Sequence, residues 1–277
     1  MCDGDHSHDH SHDHLLAPSR PVSPPPIPII AVVGKGGVGK TAFSALLSRE
    51  LLDAGKKPLL LIDADPAGGL VSTLGERAAK TLAEVRAEVI ALARQMNDEA
   101  KLALADQIDY LLLEALAERD NYSLLPMGLS KEKGCFCPVN KLLRSSIEYL
   151  INDFACILID AEAGIEQINR QVTERVSRIV VVVDGSLRSL ETFHLIEKAV
   201  PKANLAVVAN RLPEFDATAL VSTVPLLGVM PDDPLLARFD REGRSLWELP
   251  ADSPARQAAA GIARRLLAPA LTPLTIA

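Results

Sequence analysis

The stretch IPIIAVVGKGGVGKT, residues 27–41, decides the fold. Its first half is a short apolar run rich in β-branched residues, the composition of a strand buried on both faces. Its second half fits G-x-x-x-x-G-K-[ST], with Gly34, Gly39, Lys40 and Thr41 at the fixed positions. A helical pattern then runs from Thr41 to about Ala54. Strand, glycine-rich loop and helix in that order make a phosphate-binding loop. The glycines let backbone N–H groups close around phosphate oxygens, and the helix start adds its partial positive charge. Gly36, Gly37, Val38, Gly39, Lys40, Thr41 and Ala42 are therefore the expected nucleotide cradle. Lys40 is expected on the β- and γ-phosphates and Thr41 on Mg²⁺.

Outward from this loop the same alternation repeats. PLLLIDAD after Gly55, YSLLPM at 122–127, FACILID at 154–160, RIVVVVD at 178–184, ANLAVVAN at 203–210 and VPLLGVM at 224–230 all read as strands. Residues 81–119 carry helical periodicity and predict two helices, with further helices over about 139–151 and from about Pro254. Strands apolar on both faces that alternate with helices predict an α/β fold: a doubly wound, mostly parallel sheet covered on both sides. Asp160 ends one of these strands, where a Mg²⁺-side carboxylate belongs, although an Asp there can also cap a helix.

A chain of 277 residues with 48% hydrophobic and 4% aromatic residues can bury a sizeable core. The net charge of -7 argues against a general nucleic-acid coat or an anionic-membrane binder, since both need a basic face. No apolar run reaches the ~18 residues needed to span a bilayer, and the acidic N-terminus has no signal-peptide pattern. A cytoplasmic protein without nucleic-acid or membrane partners is expected. Residues 1–26, a His-rich tail and linker, are set apart from the phosphate-loop domain 27–277. Within 1–14 lie His6, His8, His10, His12 and His14, interleaved with Asp and Ser, and residues 18–28 carry six prolines. Short His-rich tracts read as metal binding, and the imidazoles suit nickel, copper or zinc. The proline run reads as an extended linker.

KGCFCPVNK, residues 133–141, places Cys135 and Cys137 one residue apart. In an extended segment such neighbours point to the same side. Two thiolates fill half of a four-ligand metal site, and a two-fold dimer would supply the other half. A redox pair and a pair of packed hydrophobes stay open as alternatives, although redox motifs favour two intervening residues. Cys156, inside FACILID, reads as core, and Cys2 could join the His tract.

GKGGVGKT, with a second lysine at Lys35, resembles the deviant phosphate loop of the MinD/ParA/nitrogenase-iron-protein class of ATPases. The resemblance implies that Lys35 reaches the nucleotide of a partner subunit. It also implies that Asp65, in DADP, orients the attacking water. Guanine-specific proteins read their base with Asn-Lys-x-Asp, and here Asn210, Arg211, Leu212 and Pro213 lack the final Asp. That favours ATP. The class contacts adenine from this Asn and from a later loop, which implies roles for Pro231 and Asp232.

Three further segments, LLPMGLSKEKGCFCPVNKLLR, ILIDAEAGIEQINR and VVVVDGSLRSLETF, are together similar to the CooC-type ATPases that mature carbon monoxide dehydrogenase by inserting nickel. This resemblance implies Ni²⁺ or Zn²⁺ held by Cys135 and Cys137 between two subunits, a homodimer promoted by ATP and metal, and a nickel-enzyme client. The chain departs from that family at Leu129, where the family has Arg, and at Gln167, where it has His. The competing classes are a MinD/ParA-type spatial organiser, a passive nickel store and a nickel GTPase.

Overall fold

A computed structural model describes residues 27–65, 68–95, 104–128, 147–148, 150–161, 176–212 and 224–268. Their centre is a sheet of eight strands: β1 (Ile29–Val33), β2 (Leu59–Asp63), β3 (Ala117–Glu118), β4 (Tyr122–Pro126), β5 (Cys156–Asp160), β6 (Arg178–Val183), β7 (Leu205–Asn210) and β8 (Leu226–Met230). The order across the sheet is β3-β4-β2-β5-β1-β6-β7-β8. All pairings are parallel except β3 with β4. The doubly wound, mostly parallel sheet is thus observed as expected.

β1 shows why the strand runs lack polar alternation. Ile29, Ala31 and Val33 enter one core, Ile30 and Val32 the other, and all are buried. One face is covered by α3 (Leu82–Gln95), α4 (Leu104–Ala115) and α5 (Leu187–Ala199); the other by α1 (Lys40–Asp53), α6 (Pro234–Glu242) and α7 (Pro254–Leu266). A short helix, α2 (Gly69–Thr73), follows the end of β2. Cys156 lies at 0% exposure in the second core, as expected, and burial pushes its thiol pKa up to about 12.

One expectation needs correcting. Helical structure does not continue to residue 119: α4 ends at Ala115, and Ala117–Glu118 turns back to pair with β4 at Leu124 and Ser123. Strand pairing overrides helical composition there. The helix expected over 139–151, for the most part, and the His tract, Cys135, Cys137, Leu129 and Gln167 lie outside the described residues.

Two features at the far end of the sheet matter later. Asp233 caps α6 and also accepts hydrogen bonds from Ser253 and Ala255 at the start of α7. β8 is the edge strand there, its register slips between Val207 and Val208, and Arg265 of α7 donates to the Leu227 carbonyl at 2.8 Å.

Phe193 joins α5 to the sheet and is 0% exposed. Phe193→Ala is expected to lower unfolding stability by about 3–5 kcal/mol, read from denaturant midpoints.

Candidate functional site

The sheet changes winding direction at β1, which lies between β5 and β6. Ligands of open parallel sheets bind at the carboxyl ends of the strands near such a point. The loop 34–39 stands there. Gly34 has φ 143°, and a Cβ on it would come within 2.5 Å of the Val182 carbonyl oxygen. Gly39 has φ 92°, and a Cβ there would meet Asn210 Nδ2 at 2.3 Å. At Gly34 the neighbouring backbone closes the space to a side chain, and at Gly39 the left-handed φ makes any side chain strained. Gly39 is the N-cap of α1 and offers no side-chain acceptor to the first N–H groups of that helix.

The ionisable groups converge on this loop. Lys40 is only 6% exposed, and its ammonium donates to the Lys35 carbonyl at 3.2 Å. Asp160, at 1% exposure, accepts from Ser44 Oγ at 2.8 Å through Oδ1. The Thr41 hydroxyl lies beside the same carboxylate. Oδ2 of Asp160 is buried and accepts no hydrogen bond from the described residues. Burial raises the Asp160 pKa, against the Thr41 and Ser44 hydroxyls and the Lys40 charge, which favour ionisation. A buried carboxylate oxygen without a donor, beside a threonine hydroxyl, suits an oxygen-liganded cation such as Mg²⁺.

Asp63 was not singled out from the sequence. Parallel pairing puts it level with Asp160, and it is 0% exposed. Oδ1 accepts from the Asp65 amide at 3.3 Å and Oδ2 from the Val71 amide at 3.1 Å. Burial pushes its pKa up to about 6; the Val71 amide opposes the rise and the nearby Asp160 charge adds to it. Asp63 thus grips both ends of the loop that carries Asp65, which is half-buried and close enough to Asp160 to affect its charge. Being first in D-A-D-P, Asp63 was visible in the sequence, but the backbone amides it holds were not. Ser44 was also missed. It sits one helical turn beyond Thr41, on the same face of α1.

The residues expected at the base lie close together along one edge of the site. Asn210 ends β7, and its Nδ2 donates to the Val38 carbonyl at 2.7 Å. That amide, expected on adenine, is engaged with the phosphate loop itself. Arg211 has φ 58°, and its amide donates to the Met230 carbonyl at 2.8 Å. Pro231 and Asp232 follow directly, with Asp232 exposed. Lys35 is half-buried near Asp184. Burial opposes the charge on Asp184, yet the Ser186 hydrogen bonds and the Lys35 charge hold its carboxyl below the usual range.

The structure therefore gathers Lys35, Lys40, Thr41, Asp65, Asp160, Asn210 and Arg211 around one loop. Among the described residues no group of three or more His, Cys, Asp or Glu forms a metal cluster, and no helix is long and apolar enough to cross a membrane.

Asp63→Asn is expected to cut turnover about 10²-fold at little change in nucleotide affinity, because it releases the loop of Asp65 and leaves the phosphate cradle intact. Steady-state phosphate release together with an equilibrium binding titration checks it.

Comparison with known proteins agrees with this geometry. An ATP-binding protein of Methanocaldococcus jannaschii, MJ0685, is 36% identical over 86% of this chain and 98% of its own length. The carbon monoxide dehydrogenase accessory protein CooC of Rhodospirillum rubrum is 30% identical over 79% of this chain and 89% of its own. The MinC:MinD cell division protein complex of Aquifex aeolicus contains a chain that superposes with a TM-score of 0.64 at 23% identity, over 90% of this chain and 99% of that one. This likeness extends to the fold. A family model described as AAA domain matches residues 27–209. By that match and by these relatives, the chain belongs to the AAA-domain family of P-loop ATPases.

Proposed function

We propose that the chain is an ATP-hydrolysing accessory protein that binds nickel at a Cys-x-Cys site shared across a homodimer and supports the maturation of a nickel enzyme, carbon monoxide dehydrogenase being the first candidate. One observation carries the reading: a relative described as a carbon monoxide dehydrogenase accessory protein is 30% identical over 79% of the chain. The Cys135–Cys137 pair and the His tract supply the soft and imidazole ligands that such a task requires.

In this reading Lys40 and the loop amides bind the ATP phosphates. Thr41 and the Asp160 side would hold Mg²⁺, which would neutralise charge on the phosphate oxygens. Asp65, fixed by Asp63, orients the attacking water. Lys35 reaches the partner's nucleotide. ATP and metal then each favour the closed dimer, and by reciprocity each tightens the other by the same factor. His6, His8, His10, His12 and His14 load or store metal.

The test loads the chain with Ni²⁺ and measures mass and metal per protomer with and without Mg·ATP, alongside phosphate release. A dimer with one thiolate-bound ion per two protomers, tightened by ATP, is expected. Unchanged metal affinity and mass on adding ATP would sink the coupling.

A spatial organiser of the MinD/ParA type is the second reading, favoured by the fold likeness to MinD. Against it stands the net charge of -7, where a nucleic-acid or anionic-membrane binder needs a basic face. ATP-dependent co-sedimentation with anionic vesicles or DNA, at unchanged nickel content, would decide for the organiser.

A further inference from the structure

The rim opposite the phosphate loop is held by one buried side chain. Asp233, immediately after Pro231 and Asp232, is 5% exposed. Its Oδ1 accepts from the Leu235 amide at 2.9 Å and the Leu236 amide at 3.4 Å. Its Oδ2 accepts from Ser253 Oγ at 2.6 Å and the Ala255 amide at 3.2 Å. An N-cap aspartate ordinarily serves one helix. Here a single carboxylate serves the starts of α6 and α7. Ser253 is itself the cap of α7, accepting from the Arg256 amide at 3.3 Å.

Both helices lead back to the nucleotide site. α7 packs along α1, which begins at Lys40. The segment between β8 and α6 consists of Pro231, Asp232 and Asp233 alone. One end of it is fixed by the Arg211 amide on the Met230 carbonyl, and the other by Asp233. Across the rim, Asn210 is tied to Val38 of the phosphate loop. The placement of Pro231–Asp232 beside Asn210, whose strand partner is Met230, is therefore set by hydrogen bonds on both sides, and Asp233 is the member that belongs to neither the phosphate loop nor the expected base contacts.

We propose that Asp233 is a positioning residue for the purine ring: it holds Pro231 and Asp232 at a fixed separation from Asn210 and thereby sets the preference for ATP over GTP. This deepens the functional reading above and rests on Pro231 and Asp232 being the base-contact loop. The carboxylate touches no nucleotide and acts through the backbone it anchors. Fixing a contact loop in its bound geometry removes the ordering cost from the binding step.

The experiment compares ATP, GTP and inorganic tripolyphosphate on the full chain, in equilibrium titrations with Mg²⁺. Tripolyphosphate probes the phosphate loop alone, so the ATP-to-tripolyphosphate affinity ratio isolates the nucleoside, and the ATP-to-GTP ratio isolates the base. Asp233→Ala and Asp233→Asn are expected to lower ATP affinity about ten-fold, the size of a lost charge-assisted hydrogen bond, while tripolyphosphate affinity holds. The ATP-to-GTP ratio falls toward one. Ser253→Ala, which removes the hydroxyl's bond to Asp233 and its cap on the Arg256 amide but leaves the carboxylate in place, is expected to shift the same ratios less. Leu266→Ala, in the α7 core, is the stability control and leaves both ratios unchanged.

If the Asp233 variants lose ATP and tripolyphosphate affinity in parallel, as the control would at matched stability, the role is structural and the proposal falls. If they keep the wild-type ratios, it falls alone. If the wild type itself binds tripolyphosphate as tightly as ATP, the base-loop reading fails and takes the inference with it.

Discussion

Lys40→Ala is expected to lower ATP hydrolysis by about 10²–10³-fold, the loss that follows removal of one preorganised charge from a phosphoryl-transfer site. Lys40 is nine-tenths buried at the first turn of α1, and among its described partners is the Lys35 carbonyl at 3.2 Å. Its removal leaves both hydrophobic cores untouched, so folding is retained. Lys35→Ala makes the informative contrast. If Lys35 works across the dimer, its loss spares nucleotide binding by the single chain but abolishes ATP-dependent dimerisation, and turnover with it. Phosphate release, a binding titration and mass in solution separate the two variants. Equal loss of binding in both would mean that Lys35 serves its own chain's nucleotide.

The second large effect is on metal. Under the proposed dimer, one Cys135→Ser substitution removes two of four thiolates, because the symmetry repeats it. A four-ligand site of about 10–16 kcal/mol shares out to roughly 3 kcal/mol per ligand. Losing two ligands then weakens nickel binding by about 10⁴-fold. Measured on a chain without residues 1–14, metal content should fall from one ion per two protomers to none. The double substitution Cys135→Ser, Cys137→Ser should add nothing further to the loss of stoichiometry. Retention of metal by the single variants would return the Cys pair to a redox or packing role.

The parts of the fold legible in the sequence were those fixed by local chemistry. Short, β-branched apolar runs such as Arg178–Val183 read as strands with two covered faces, and all but one strand beyond β1 lay inside a segment read in this way. The phosphate loop was legible because its glycines answer local demands, the φ of 143° at Gly34 among them. Two-residue β3 and five-residue α2 were not, since neither is long enough to carry a periodicity. In the site, Asp160 was legible as a strand-end carboxylate. The grip of Asp63 on Val71, eight residues on, depends on how the chain returns after β2, which no motif records. The bond from Asn210 to Val38 spans 172 positions and arises only when β7 and the loop after β1 come together.

The Arg265–Leu227 hydrogen bond has an effect on assembly. A strand at the border of a sheet offers its free backbone groups to any passing strand. At β8 one of those carbonyls is occupied by a guanidinium, and the slipped register beside it breaks the straight row that a newcomer would need. Two copies are thus discouraged from joining edge to edge into a continuous ribbon, the route by which sheet proteins polymerise or precipitate. In the proposed dimer, association would fall instead to the loops at the strand ends, where bound nucleotide would switch it.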